Sequence, residues 1–350
     1  MKTEALLFAL FLAGSAIVVQ ACGSDDATSP QDGGEVADDS DGNVKPGDAG
    51  RTDATVGDGG TCDRTPSPDD HVRNVVVSHP FDEGGNKTNV FELLTLDTSG
   101  TLTRTGTFFD MGTALDSNIV FTPDGKVALV AQDDGSIGVV RFDASGPVVV
   151  LAAFTGPFYA TAIVMEPSGK HAYVLDADTA DNGGGVYAVD IACDGTLTSE
   201  GLVVPGGTAD QMAFVPSSTR AVLSAGAAFD SPDGSDTHLV DFDGTPSRVA
   251  SGNGFVDGGA IVSSVAVMPD GKFAVAADNG LLVGNRVAVI SLPDMQNAGL
   301  LAVPNPAAVV ASPYDNAALI LSSDGMDAIR LASYSPDAST PLSIVGPITY

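Results

Sequence analysis

Phe121-Thr-Pro-Asp-Gly-Lys126, Met165-Glu-Pro-Ser-Gly-Lys170, Phe214-Val-Pro-Ser-Ser-Thr-Arg220, Met268-Pro-Asp-Gly-Lys272 and Ala311-Ser-Pro-Tyr-Asp-Asn316 are versions of one phrase. Their prolines stand at 123, 167, 216, 269 and 313, at intervals of 44, 49, 53 and 44 residues. Each phrase follows an apolar run and precedes another; a Gly/Asp-rich loop and a third run come next. Pro fixes its own φ and Gly accepts positive φ, so the phrase reads as a tight turn between two strands. Self-similarity at this period marks repeated supersecondary units, and four short strands per unit is the arithmetic of an all-β fold, a β-propeller.

The unit from Ser264 to Val303 gives the template. Val265–Met268 reads as an inner strand and Phe273–Ala277 as the second. Arg286–Ser291 reads as the third and Gly299–Val303 as the outer one. Residues 117–155, 161–204, 209–251 and 307–350 follow the same plan. At the N-terminal edge, Asn74–His79 matches a second strand, Asn89–Leu96 a third and Gly100–Gly106 a fourth, so this unit lacks its inner strand. Closed propellers often supply that strand from the other end of the chain, which removes an open sheet edge. Here the last unit reaches its own outer strand near Ser343-Ile-Val345. The expectation is about six four-stranded repeats in an incomplete ring.

The chain carries 15 basic and 45 acidic side chains, a net charge of −30. Such a surface repels nucleic acid and anionic membranes, because phosphate contacts need Lys and Arg. Cations and basic partners are what this balance favours.

The first 22 residues form a separate object. An apolar run from Ala5 to Val19 is short for a bilayer span but suits a signal-peptide core. Val19-Gln20-Ala21-Cys22 resembles the lipobox of bacterial lipoproteins. That resemblance implies cleavage after residue 21, lipidation of Cys22 and anchoring at the cell envelope, with Gly23 favouring the outer membrane. Multiple acyl chains anchor firmly where one does not. From Gly23 to Asp70 there are 13 acids against Lys45, Arg51 and Arg64, a net −10, and little to bury. Residues 22–70 are therefore predicted to be a disordered, self-repelling tether, with the propeller spanning 71–350. Cys62 and Cys193 remain. They are an even number in an exported protein and form the candidate disulfide, the alternative being two free thiols.

The turn-and-strand phrase resembles the YVTN-type repeats of lactonase-like β-propellers. Tyr173-Val-Leu-Asp176 occupies the position that names those repeats. Ala131-Gln-Asp-Asp134, Ala276-Ala-Asp-Asn279 and Leu321-Ser-Ser-Asp324 stand at the equivalent places. The resemblance covers residues 71–350 and implies a propeller, with the ring short of a seven-bladed parent. It also implies that an enzyme of this kind would gather Arg, His and Glu at the channel mouth. Small and acidic residues dominate there, so no catalytic residue is assigned, and phosphorylated or carboxylated substrates would meet repulsion.

Among the four histidines, His79 is the one placed near the channel mouth. His171 opens a strand with no partner evident in the sequence, and His238 lies within a strand. Asp176, Asp178 and Asp181 sit close together in a loop and form a candidate calcium site, since calcium takes six to eight oxygens from converging carboxylates. No other cofactor is implied. The reading is a lipid-anchored envelope propeller that binds a protein or glycan ligand without catalysis. The alternative is a lactonase-like hydrolase with an altered site around His79; a cluster of Arg, His and Glu converging on one channel mouth would favour it, and a ring of Asp and small residues there would favour the binder.

Overall fold

In the computed structural model the described residues are 62–65, 72–81, 86–99, 101–142, 148–176, 184–205, 211–224, 235, 237–254, 262–278, 285–292, 294–312, 316–322 and 329–347. They contain strands and no helix. Residues 1–21, Cys22 and all of the predicted 22–70 tether except 62–65 lie outside them.

Six antiparallel sheets follow one another along the chain. The first has three strands, β1 (Arg73–Phe81), β2 (Lys87–Leu96) and β3 (Leu102–Asp110). The other five have four each. The second holds β4 (Ala114–Phe121), β5 (Val127–Gln132), β6 (Ile137–Phe142) and β7 (Val148–Val150). The third holds β8 (Ala162–Met165), β9 (His171–Asp176), β10 (Gly185–Ile191) and β11 (Leu197–Pro205). The fourth holds β12 (Gln211–Phe214), β13 (Arg220–Ser224), β14 (Thr237–Asp241) and β15 (Ser247–Gly252). The fifth holds β16 (Val262–Val267), β17 (Phe273–Asp278), β18 (Arg286–Ser291) and β19 (Gln296–Ala302). The sixth holds β20 (Pro306–Ala311), β21 (Ala317–Ser322), β22 (Ile329–Tyr334) and β23 (Leu342–Pro347). Each sheet pairs its strands in chain order, which is the meander of a propeller blade. The inner strand missing from the first repeat is missing from the first sheet, where β1 is an edge.

The turns explain the repeat. In Thr122-Pro-Asp-Gly125, Glu166-Pro-Ser-Gly169 and Met268-Pro-Asp-Gly271 the glycine N–H donates to the residue three back, and the glycine takes φ of 67–70°. The fourth sheet has no glycine there. Its turn closes from Ser218 to Val215 and moves the positive φ, 56°, onto Ser217. A serine in that conformation is strained relative to glycine, yet the hairpin register survives.

In the four middle sheets the second and third strands are buried on both faces, as in β5, whose six residues are all buried. Five apolar cores result, one between each consecutive pair of sheets. Phe91, Val130 and Phe142 join the first and second sheets, and Leu129, Ile163 and Tyr187 the second and third. Leu175, Met212 and Leu223 join the third and fourth, Leu239, Ala276 and Ile290 the fourth and fifth, and Val289, Ile320 and Leu342 the fifth and sixth. Among the described residues no sixth core joins the last sheet to the first. Exposed apolar side chains fall accordingly. The four middle sheets have one each, Val150, Leu202, Val249 and Leu300. The first sheet exposes Val90, Leu102 and Phe108, and the sixth Val310, Leu319, Ile344 and Val345.

The segment Cys62–Thr65 is fixed against the second and third sheets. Cys62 is disulfide-bonded to Cys193, 131 residues away. Two residues on, the buried Arg64 guanidinium lies 3.3 Å from Asp124 and donates to the Ala192 carbonyl at 2.9 Å. Burial opposes the charge of Asp124. The Thr122 hydroxyl, the Lys126 amide and the charges of Arg64 and Lys126 outweigh it and hold the carboxyl below the usual range.

Candidate functional site

The second strand of every four-stranded sheet ends in a buried polar residue: Gln132, Asp176, Ser224, Asp278 and Ser322. Three of them hold a segment that links two sheets. Gln132 donates to the Met111 carbonyl and Ser322 to Pro304, whereas Ser224 donates to Gln211, its cross-strand partner in the same sheet. Asp176 accepts from the Tyr159 amide at 3.2 Å, and Asp278 pairs with Arg286 at 3.1 Å. A buried polar atom without a partner is costly, so the contacts to Met111, Tyr159 and Pro304 fix the crossovers between sheets, and the other two tie neighbouring strands. Asp176 is fully buried and turned toward the protein. Asp178 and Asp181, its companions in the candidate calcium site, lie outside the described residues.

A different arrangement occupies the first sheet. Cross-strand pairing sets Val77 opposite Glu92 and His79 opposite Val90, while Glu92 faces Phe108 on the other side. A shift of register between Leu93 and Leu94 brings Arg104 opposite Leu94, within reach of the same carboxylate. Glu92 is only 3 % exposed in the middle of this face. Arg104 grips it with two hydrogen bonds, Nε to Oε1 at 2.5 Å and Nη2 to Oε2 at 2.9 Å. The His79 Nε2 lies 3.1 Å from Oε2. The Arg104 hydrogen bonds lower the Glu92 pKa most; burial raises it, the His79 contact lowers it again, and the carboxyl stays ionised below the usual range.

The imidazole is about two-fifths exposed, and the Phe108 ring lies 6.4 Å from it. The Thr88 hydroxyl donates to the His79 carbonyl and ties β1 to the start of β2. Beside this ring runs an open groove of about 490 Å³, lined by Lys87, Thr88, Asn89, Val90, Phe108, Phe109 and Asp110. Lys87 reaches Asp133 of the second sheet at 3.2 Å, and Asn89 accepts from Thr113 at 2.6 Å, leaving its amide N–H groups as donors. An ionised, buried carboxylate that orients a half-exposed imidazole near a groove of mixed polar and apolar lining is equipped to hold that imidazole as a proton acceptor. The sequence singles out His79, whereas Glu92 and Arg104 escape it. Their spacing carries no motif, and only the register shift brings them together.

His171 does have partners: its Nδ1 lies 3.0 Å from the Glu166 carboxylate. His238 is buried, with Nδ1 3.0 Å from the Ser251 hydroxyl. Cys62 and Cys193 are joined, as described above.

Neither a family model nor a curated protein matches the chain. Solved structures do. A periplasmic gluconolactonase of Pseudomonas aeruginosa superposes with a TM-score of 0.60 at 16 % identity, over 81 % of this chain and 83 % of that one. A Bacteroides fragilis protein that carries 6-phosphogluconolactonase as a provisional name gives 0.59 at 16 %, over 80 % and 81 %. The β-propeller domain of a Myceliophteria thermophila protein gives 0.50 at 13 %, over 69 % and 74 %. At these identities the likeness is one of fold: the chain is a β-propeller.

Proposed function

We propose that the protein is a lactonase-like hydrolase of an uncharged sugar lactone, carried at the cell envelope by a lipid on Cys22 and acting in the groove of the first sheet. The observation that carries this reading is the buried Glu92 that holds both His79 and Arg104. His79 takes a proton from water through its Nδ1, the ring nitrogen away from Glu92, as the hydroxide adds to the lactone carbonyl. Glu92 stabilises the imidazolium that forms. The tetrahedral adduct then breaks the ring C–O bond, and the alkoxide leaves with the proton returned from His79. Lys87 and the Asn89 amide are the donors the groove offers to the developing oxyanion. A charge of −30 disfavours phosphorylated lactones and helps the hydroxy-acid product to leave.

The same acidic charge also favours a second reading, a binding or scaffolding module for a basic or glycan partner. One experiment separates the two. The full-length protein is assayed by pH-stat with δ-gluconolactone and other neutral lactones, alongside His79→Ala. The hydrolase reading predicts turnover that falls roughly 10²-fold or more in the variant, the usual contribution of a general base. No turnover above the buffer rate in the unmodified protein would overturn it and leave the binding module.

A further inference from the structure

The third sheet collects at its turn-side end four groups that no other sheet combines. His171 opens β9 directly after the turn that Glu166 begins, and Asp190 is its cross-strand partner on β10. On β11, Glu200 is an extra residue: Ala188 pairs with Gly201 and Val189 with Ser199. Gly201 takes φ 95° there, and the bulge aims the glutamate back at the same spot. Glu166 fixes the His171 Nδ1 at 3.0 Å and is itself held by the Ser168 hydroxyl at 2.6 Å. The Nε2 is thereby turned toward Asp190 at 3.9 Å and Glu200 at 3.7 Å.

The other sheets show what these positions carry when only the fold requires them. The fourth sheet has Val215, Arg220, Asp241 and Val249 at the four places, and a one-to-one ion pair, Arg220 to Asp241 at 3.1 Å. The fifth has Met268, Phe273, Ser291 and Ala298, and the sixth Ser312, Ala317, Ser333 and Val345. A strand-end ion pair is thus met with one acid and one base. The third sheet instead sets three carboxylates round one imidazole, and among the described residues no lysine or arginine forms an ion pair with any of the three.

We propose that His171 Nε2, Asp190 and Glu200 bind a divalent transition-metal ion, zinc being the best fit, with Glu166 as the carboxylate that orients the histidine. One nitrogen and two carboxylate oxygens are a donor set that zinc accepts, and the hydrogen bond at the far ring nitrogen fixes which nitrogen faces the ion. The three ligand atoms lie within 4.8 Å of one another. Zinc bonds of roughly 2.1 Å would bring them to about 3.4 Å apart, a closure that turns of exposed side chains supply. About half of the Asp190 and Glu200 side chains is exposed, so a further coordination position faces solvent and is open to water or to a group from another molecule. This site shares no residue with the groove of the first sheet and stands whether or not that groove is catalytic.

The test is zinc stoichiometry of the full-length protein by equilibrium dialysis. Excess magnesium is present to occupy the ordinary carboxylates, and the visible spectrum of the cobalt-loaded protein reports nitrogen ligation. The protein should hold one zinc ion with micromolar affinity, and His171→Ala should lack it. Glu200→Gln should weaken binding at least about tenfold and Glu166→Gln about 10- to 100-fold. Asp241→Asn, in the fourth sheet, should leave it unchanged. Equal stoichiometry in the protein and in His171→Ala would overturn the proposal. Should the histidine variant fail to fold, Glu200→Gln, altered at an exposed bulge, takes its place, and unweakened zinc binding in that variant would overturn the proposal equally.

Discussion

Among the described residues the third sheet is packed on both faces, while the first is packed on one. Leu129, Ile163 and Tyr187 fill the core on one side of the third sheet, and Leu175, Met212 and Leu223 the core on the other. A disulfide and the buried Arg64 staple its turn end. Among the described residues the first sheet has three strands, and β1 pairs with β2 alone. Its inner face, with Phe91, rests on the second sheet, and its outer face carries exposed Val90 and Phe108 beside Glu92. In a fold of repeated units each sheet is stabilised mainly by its neighbours. A sheet with one neighbour has less stability to lose and more surface to offer a ligand.

The largest expected effect tests the staple. Cys193→Ala opens a loop whose ends are 131 residues apart, and loss of such a bridge costs roughly 2–5 kcal/mol. Denaturant unfolding of the variant against the unmodified protein measures it. A loss below about 1 kcal/mol would mean that the Arg64 contacts hold the segment unaided. Next comes a pair of truncations. Leu175→Ala, at a fully buried position between the third and fourth sheets, should cost about 2–5 kcal/mol through lost burial and the cavity left behind. Phe108→Ala, on a side chain 54 % exposed on the outer face of the first sheet, should cost less than about 1 kcal/mol. Equal losses would show that something covers that face.

The fold is legible in the sequence because its signal is local and repeated. Proline, a turn and an apolar run recur five times, and the missing inner strand of the first unit shows as a mismatch against the template. The sites are less legible because they depend on register. Nothing in the spacing of His79, Glu92 and Arg104 announces that they meet; the shift between Leu93 and Leu94 decides it. Glu200 likewise reaches His171 only through a bulge, although Gly201 directly after it is a usable hint. Asp176 shows a contact the sequence does not announce: buried at the end of β9, it accepts from the Tyr159 amide in the segment that links the second and third sheets.

Hydrogen exchange followed peptide by peptide tests the central claim most directly, that six consecutive sheets share five cores and leave the first sheet one-sided. Amides of β1 and β2 should exchange at least about tenfold faster than those of β9 and β10, because local opening there breaks one interface instead of two. Equal protection in the two sheets would contradict the account, since it would require a sixth core between the last sheet and the first.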